Sequence, residues 1–432
     1  MNAPRLPPGP TVVMCLGTRP EIIKMAPVYH ALRDAGHRPV VLHTGQHDEL
    51  AWPLYEFFGI GPDKVIALQR RRPGLGHLSA ELMASITDCL EELRPDALLV
   101  HGDTTTALMA ALCGFYQKVP VGHVEAGLRT HQHYDPFPEE LNRELIGRIA
   151  TWHFAPTTAA RDNLEREGIV DAVHVTGNTA IDAARSGIER LRAAPALAGG
   201  AASLAGMLER LAPSTRLLLV TAHRRENWGE GIESIGRAVR AWLEEHDDYA
   251  AVWPVHANPQ VGATVREAFA GSERALAGRL LLCAPVDYPV LLALLSRCWL
   301  VLTDSGGIQE EAAAVNRPVL VLRETTERPE LIATGRGVLV GTQASAIASH
   351  LRRLDRSVEA YASMCDKPNP FGDGHAAERI ASLLGLGLAA ERSLHESAAG
   401  AAVASPRGAT LSADVPMGGS RAGRSDVPAH LA

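Results

Sequence analysis

No apolar run in this sequence reaches the length needed to cross a bilayer, and its first ten residues, MNAPRLPPGP, lack a charged start followed by an apolar stretch. Neither insertion nor export is therefore expected. Runs of basic charge are missing as well. Apart from Arg70 to Arg72 the cations are scattered and the formal charge is -7, which argues against electrostatic tracking of nucleic acid. The six cysteines, at 15, 89, 113, 283, 298 and 365, form no CxxC pair, and most lie in apolar runs. They read as buried thiols of a reducing compartment, so the cytoplasm is the expected location and no zinc site is implied. GxGxxG and GxxxxGKS/T are also absent, so neither a dinucleotide nor a P-loop is predicted.

What is present suits a globular protein: 432 residues, 46% hydrophobic and 21% charged, enough for two or three domains. Short apolar strands alternate with amphipathic helices, beginning TVVMCLG (11–17), EIIKMAPVYHALRDAG (21–36) and PVVLHTG (39–45). Such alternation predicts an α/β fold with a parallel sheet covered on both faces. After a flexible leader (1–10), one doubly wound Rossmann-like domain is expected over 11–190 and a second over 207–365. The Ala- and Gly-rich segment 191–206 reads as the connection. A C-terminal helix within 366–388 is expected to return to the first domain. From 389 to 432 the composition turns to Ala, Ser, Gly and Pro, which predicts a disordered tail.

The stretch from His101 to Arg143 concentrates the chemistry. HGDTTTAL, GHVEAGLRT and PFPEELNR set Asp103, Glu125 and Glu139 on three nearby turns. Two of these turns end successive predicted strands, where ligands of open parallel sheets collect. Each carboxylate alone has a structural explanation: Asp103 as a helix cap, Glu125 as a partner of Arg129, Glu139 as an acid at a helix start behind Pro138. Together, interleaved with His101, His123 and Arg143, they point to acid/base work.

Two further turns suit an anion. GTRPEIIK (17–24) brings Arg19 and Lys24 to a strand-to-helix passage, and TDSGGIQEE (303–311) opens a helix with Ser305, Gly306 and Gly307. Glu311 falls about one turn into that helix, within reach of a ribose diol. TAHRREN (221–227) and PVHANP (254–259) add His223 and His256 at strand ends, and RETTERPE (323–330) reads as a solvated, salt-bridged loop. His43 and His47 lie four apart, but Thr-Gly between them breaks a helix and weakens a metal reading.

GTRPEIIKMAP, TGQH, HGDTTT, GHVEAGLRT, PFPEELNR, TGNTAID, TAHRREN, DSGGIQEE, TTERPE and NPFGDG, taken together, resemble the non-hydrolysing UDP-N-acetylglucosamine 2-epimerases from about Thr11 to Leu384. The resemblance implies two Rossmann-like domains facing across a cleft, as in GT-B glycosyltransferases, and usually a homodimer. It implies interconversion of UDP-N-acetylglucosamine and UDP-N-acetylmannosamine with no redox cofactor, and the sequence has no YxxxK of nicotinamide-dependent epimerases. By resemblance Asp103, Glu125 and Glu139 are acid/base candidates, joined by His223. Arg19, Lys24, His223, Ser305, Gly306 and Gly307 would hold phosphate or sugar, Glu311 the ribose, and Leu291 would line the substrate site. Arg143 would orient the carboxylates.

The chain departs from the pattern where the family forms a second, activating UDP-N-acetylglucosamine site. Asp48 and Glu49 follow His47, and RRRPGLGHLSAEL (70–82) replaces a GQxLxE-type segment. Weak or absent activation is the expectation. The alternative activities are 2-epimerisation of a UDP-2,3-diacetamido uronic acid, with Arg70 to Arg72 as a carboxylate contact, hydrolytic epimerisation releasing UDP, glycosyl transfer, and a catalytically inactive UDP-sugar sensor.

Overall fold

A computed structural model of the chain describes residues 9–45, 48–69, 72–195, 202–272 and 274–403. Its first half alternates β1 (Thr11–Leu16), α1 (Arg19–Asp34), β2 (Arg38–His43), α2 (Asp48–Phe58), β3 (Lys64–Val65), α3 (Leu75–Leu93), β4 (Ala97–His101), α4 (Thr105–Tyr116), β5 (Val121–Val124), α5 (Glu139–Ile149), β6 (Trp152–Ala155), α6 (Thr158–Arg166), β7 (Val173–Val175) and α7 (Thr179–Ala193). The second half begins with α8 (Ala202–Arg210), β8 (Arg216–Thr221), α9 (Glu230–Glu245), β9 (Tyr249–Pro254), α10 (Pro259–Ala268), β10 (Leu280–Cys283), α11 (Tyr288–Arg297) and β11 (Leu300–Thr303). It closes with α12 (Gly306–Ala314), β12 (Val319–Val321), α13 (Pro329–Ala333), β13 (Gly337–Leu339), α14 (Ala344–Arg356), α15 (Val358–Cys365) and α16 (Ala376–Val403).

The strands form two parallel sheets, ordered β3-β2-β1-β4-β5-β6-β7 and β10-β9-β8-β11-β12-β13. Each order reverses once, between β1 and β4 and between β8 and β11, and a crevice opens at such a reversal beyond the carboxyl ends of the strands. Central strands such as VVMCL of β1 and LLLV of β8 are buried along almost their whole length. Strands covered on both faces need this continuous apolar run rather than an alternating one. The result is the doubly wound α/β architecture expected, built twice.

One apolar core is shared between the two sheets, with Met14, Ile22 and Phe58 from the first joined by Leu219, Leu292 and Ala312 from the second. Phe57 and Phe58 meet Tyr288 with ring centroids 6.3 and 5.9 Å apart. Gly187 of α7 lets α11 approach closely, because a Cβ there would lie 2.4 Å from Leu292 Cδ1. α16 is tied to the first sheet's helices: Ala377 N donates to Asp182 Oδ1 at 2.8 Å and Arg379 Nη1 to the Thr176 carbonyl at 3.0 Å.

Two sequence expectations change. The segment 191–206 is not simply a connector, since α7 continues to Ala193 and α8 starts at Ala202. Alanine is the strongest helix former, and Leu204 and Met207 at helical spacing are both buried. α16 likewise runs through an Ala-rich stretch to Val403, past Ala389 where disorder was expected, although the compact unit holding both sheets ends at Leu388. The rest of the expected tail, residues 404–432, lies outside the described residues, as do His47, Arg70, Arg71, most of the leader and the side chains of Asp48 and Glu49.

Candidate active site

Glu21 staples the two turns at the first reversal point. Its Oε2 accepts from the Gly17 and Thr18 amides at 3.0 and 2.7 Å, and its Oε1 accepts from Thr104 Oγ1 at 2.7 Å. Arg19 is thereby placed at the start of α1, half-buried. Thr104, not Asp103, caps α4 by accepting from Ala107 N at 3.0 Å. Asp103 is consequently free to face α5, where Arg143 Nη2 donates to its Oδ2 at 2.5 Å and Asn142 holds its carbonyl at 2.8 Å. Burial pushes the Asp103 carboxyl above its ordinary range against the opposing pull of Arg143, and the charges of Glu125 and Glu139 push the same way. Glu139 begins α5 with Pro138 as the cap rather than the first helical residue.

Glu125 follows β5 with φ +65°, a left-handed conformation that costs a non-glycine residue on the order of 1 kcal/mol or more. It does not pair with Arg129, whose guanidinium is held by Glu167 at 2.7 and 2.8 Å. Lys24 Nζ donates to Glu125 Oε2 instead, and lies 3.2 Å from Glu310 Oε2. Burial alone would raise the Glu125 carboxyl, but Lys24, His101 and Arg328 override it and hold it below the usual range. Lys24 stands above the ordinary lysine range, because Glu125 and Glu310 outweigh its desolvation. His101, 3.8 Å from Glu125 Oε2, is pushed down by burial to about 4 and is neutral near pH 7.

The second reversal point supplies the other wall. Asp304, wholly buried, accepts on Oδ2 from the His223 and Arg224 amides at 2.8 Å each and from Asn227 Nδ2 at 2.9 Å. Its Oδ1 lies 3.3 Å from His223 Nδ1, and the His223 ring stacks on His256 with centroids 6.0 Å apart. Burial lowers the His223 pKa, with Asp304 opposing. Ser305 stands at the cap of α12 with Gly306 and Gly307 opening the helix, and a Cβ on Gly306 would lie 3.7 Å from the Arg328 guanidinium carbon. RETTERPE is therefore no solvated loop at this end. Arg328 Nε donates to Glu310 Oε1 at 2.5 Å, with its side chain 15% exposed. Leu291 sits on α11 and packs against the shared core.

Glu311 is half-buried with Oε2 unpartnered, and burial together with Glu310 pushes its carboxyl to about 8, opposed by Lys24 and Arg19. That value sets a sign. Since the native pKa exceeds the unfolded one, the native state binds the extra proton, and stability present below the unfolded value is lost as pH rises through 8. Glu311→Gln should raise the unfolding temperature of the unliganded protein at pH 8.5 by about 2–4 °C, the response to roughly 1 kcal/mol. At pH 4.5 thermal melts should show no gain, and equal gains at both values would refute the assignment.

The folded chain thus brings together Asp103, Arg143, Glu125 and Lys24, with Glu139 close enough to act on Asp103. It links the two domains through Lys24 with Glu310 and through Arg19 acting on Glu311. Glu310, Arg328, Glu21 and Asp304 were missed as individual residues, although all four lie inside GTRPEIIK, TDSGGIQEE and RETTERPE. A second acid beside Glu311 and a second arginine in RETTERPE were the only signals. An interdomain groove of about 870 Å³ lined by Thr157, Gly177, Asn316, Arg336 and Asn369 contains none of these groups. Its Arg336 is turned onto the Pro368 and Lys367 carbonyls, and the carboxylate and cation cluster lies at the other end of α12. No group of His, Cys, Asp and Glu able to hold a metal ion occurs among the described residues.

Known proteins share this sequence and fold. The sequence pattern of the UDP-N-acetylglucosamine 2-epimerases matches residues 30–385. A UDP-N-acetylglucosamine 2-epimerase of Yersinia pestis is 43% identical over 375 residues, 86% of this chain and 98% of its own length. The crystal structure of UDP-GlcNAc 2-epimerase from Neisseria meningitidis bound to UDP-GlcNAc superposes with a TM-score of 0.75 at 39% identity, covering 87% of this chain and 99% of that one. The enzyme of Methanocaldococcus jannaschii superposes with a TM-score of 0.73 at 30% identity, over 87% and 99% of the two chains. With the family pattern matched over residues 30–385 and relatives of about 40% identity covered almost end to end, the chain belongs to the UDP-N-acetylglucosamine 2-epimerase family.

Proposed function

We propose that this protein interconverts UDP-N-acetylglucosamine and UDP-N-acetylmannosamine without consuming a redox cofactor. The observation that carries the reading is a pair of neighbouring carboxyl groups pushed in opposite directions, Asp103 upward by burial and Glu125 downward by Lys24, His101 and Arg328. Divergent pKa values at one site separate a proton-holding group from a proton-accepting one. The C2 hydrogen of such a sugar is not adjacent to a carbonyl, so simple deprotonation is prohibitive. Breaking the C1–O bond to UDP while the C2 proton leaves forms a C1=C2 double bond, giving 2-acetamidoglucal and UDP. Adding a proton to the opposite face of C2 and UDP back to C1 completes the inversion. Asp103, oriented by Arg143, and Glu125, held by Lys24, are the acid/base pair of this reading, with Glu139 and His223 completing the set.

The departing diphosphate needs positive charge that is already in place. Arg19, Lys24 and Arg328 supply it beside the α12 amides at Ser305, Gly306 and Gly307, and Glu311 suits the ribose diol. UDP-N-acetylmannosamine is a precursor for bacterial surface polysaccharides, which is the route this reading assigns. The deciding experiment follows UDP-N-acetylglucosamine with the purified protein by NMR. A mixture with UDP-N-acetylmannosamine and only traces of free UDP is expected, whereas stoichiometric UDP release would establish hydrolysis instead.

A homodimer is part of the proposal. Phe115 and Tyr116 at the end of α4 are 60% and 65% exposed, and Leu141 and Leu145 on the neighbouring α5 are exposed too. Sedimentation of the full chain as a monomer at micromolar concentration would exclude it. All six cysteines are free, which fits the reducing cytoplasm. No helix among the described residues is long and apolar enough to cross a membrane.

A further inference from the structure

Glu310 is a buried acid of the site that the elimination mechanism does not use, and unlike Glu21 and Asp304 it reaches from one sheet's helix to a cation on the other. It lies on α12, in the second domain, yet one of its oxygens is 3.2 Å from Lys24 of the first domain. The other takes Arg328 Nε at 2.5 Å, and its side chain is 1% exposed. Lys24 in turn donates to Glu125, so an unbroken chain of charges, Arg328, Glu310, Lys24 and Glu125, crosses between the domains. Thr326 Oγ1 donates to Gln309 Oε1 at 3.0 Å and fixes the loop of Arg328 to α12 beside it. With Glu310 in place the four charges sum to zero.

We propose that Glu310 is a positioning residue for the epimerisation: it holds Lys24 on Glu125 and makes the working geometry of that carboxylate depend on the packing of the two domains. The inference rests on the epimerase reading above. Three groups besides Lys24 act on Glu125 or are acted on by it: His101 at the end of β4, Asp103 beyond it and Arg328 from the second domain. Only Lys24 touches both Glu125 and the second domain's α12 among them. A lysine has a flexible stem, and its position is set by what its ammonium meets. Without Glu310 the ammonium loses its second anchor, and Arg328 loses the carboxylate to which its Nε donates.

This makes a distinctive pattern of losses. In Glu310→Gln the uncompensated cations still attract diphosphate, so UDP affinity measured by calorimetry should be unchanged or tighter and KM should rise by no more than about twofold. kcat should fall by about tenfold to a hundredfold, the scale of a misplaced reacting group. Glu310→Asp, which keeps the charge on a shorter stem, should recover part of kcat.

A purely structural role would weaken UDP binding and raise KM along with the loss of kcat, and that result would overturn the inference. So would a Glu310→Gln enzyme with wild-type kcat. Should Glu310→Gln prove unfolded by circular dichroism, Glu310→Asp decides alone: lowered kcat with UDP affinity kept supports the role, and wild-type kcat removes it. A wild-type protein that binds UDP but does not epimerise would remove the function reading first.

Discussion

Turnover in deuterium oxide is expected to place solvent deuterium at C2 of the product, and Asp103→Asn is expected to lower kcat by roughly a hundredfold or more. Both follow from one geometry. A proton taken from one face of C2 is replaced from a different group on the other face, and any such group exchanges with solvent between turnovers. Oxidation and re-reduction through a nicotinamide would instead keep the label within the sugar and its cofactor. Asn at 103 retains the size of the side chain and can still accept from Arg143, so circular dichroism and UDP binding should match the wild type. What it lacks is a carboxyl group that can take up and give back a proton. Product without deuterium at C2, or an Asp103→Asn enzyme at full rate, would eliminate the elimination route.

Lys24→Met is expected to be the most damaging single change, costing about 3–5 kcal/mol of stability at pH 7 and at least a hundredfold in kcat. The lysine side chain is 12% exposed and serves two acids, Glu125 and Glu310. Methionine preserves much of its volume but leaves Arg328 as the one cation among those contacts. The pH dependence carries the proof. In the wild type the Glu125 carboxyl is held below its unfolded value, so its contribution is present above that value and lost as pH falls through the native pKa.

In the variant the same carboxyl is desolvated without its main partner, its pKa rises above the unfolded value, and the sign reverses: stability is retained below the unfolded pKa and lost as pH rises. The gap in unfolding temperature between variant and wild type should therefore be wider at pH 7 than at pH 4.5. A constant gap would mean that Lys24 contributes packing and not charge.

The alternation of apolar runs with 3.6-period helices, as in VVMCL before the helix holding Ile22 and Met25, was sufficient by itself to set two parallel doubly wound sheets, because burial on both faces demands that pattern locally. Strand ends could be read the same way, so Arg19, Lys24, Asp103, Glu125, Ser305 and Glu311 could all be named as candidates from spacing and motif. Their partners were not. Nothing in GHVEAGLRT distinguishes Glu125 bonded to Arg129 four residues on from Glu125 bonded to Lys24 a hundred and one residues back, yet only the second occurs. Likewise Asp103 and Thr104 are both good caps, and in the fold Thr104 caps α4 while Arg143 of another helix holds Asp103.

RETTERPE is polar enough for a solvated loop, and the packing of Arg328 onto Glu310 and of Arg323 onto Glu226 is what buries its arginines. Local pattern determines which segments are strands and helices, since their hydrogen bonds and side-chain periods are short-range. Which charge meets which is decided by the crossing of the two domains, because ion pairs between elements distant in sequence form only where the fold has already brought them within a few ångströms and removed the water between them.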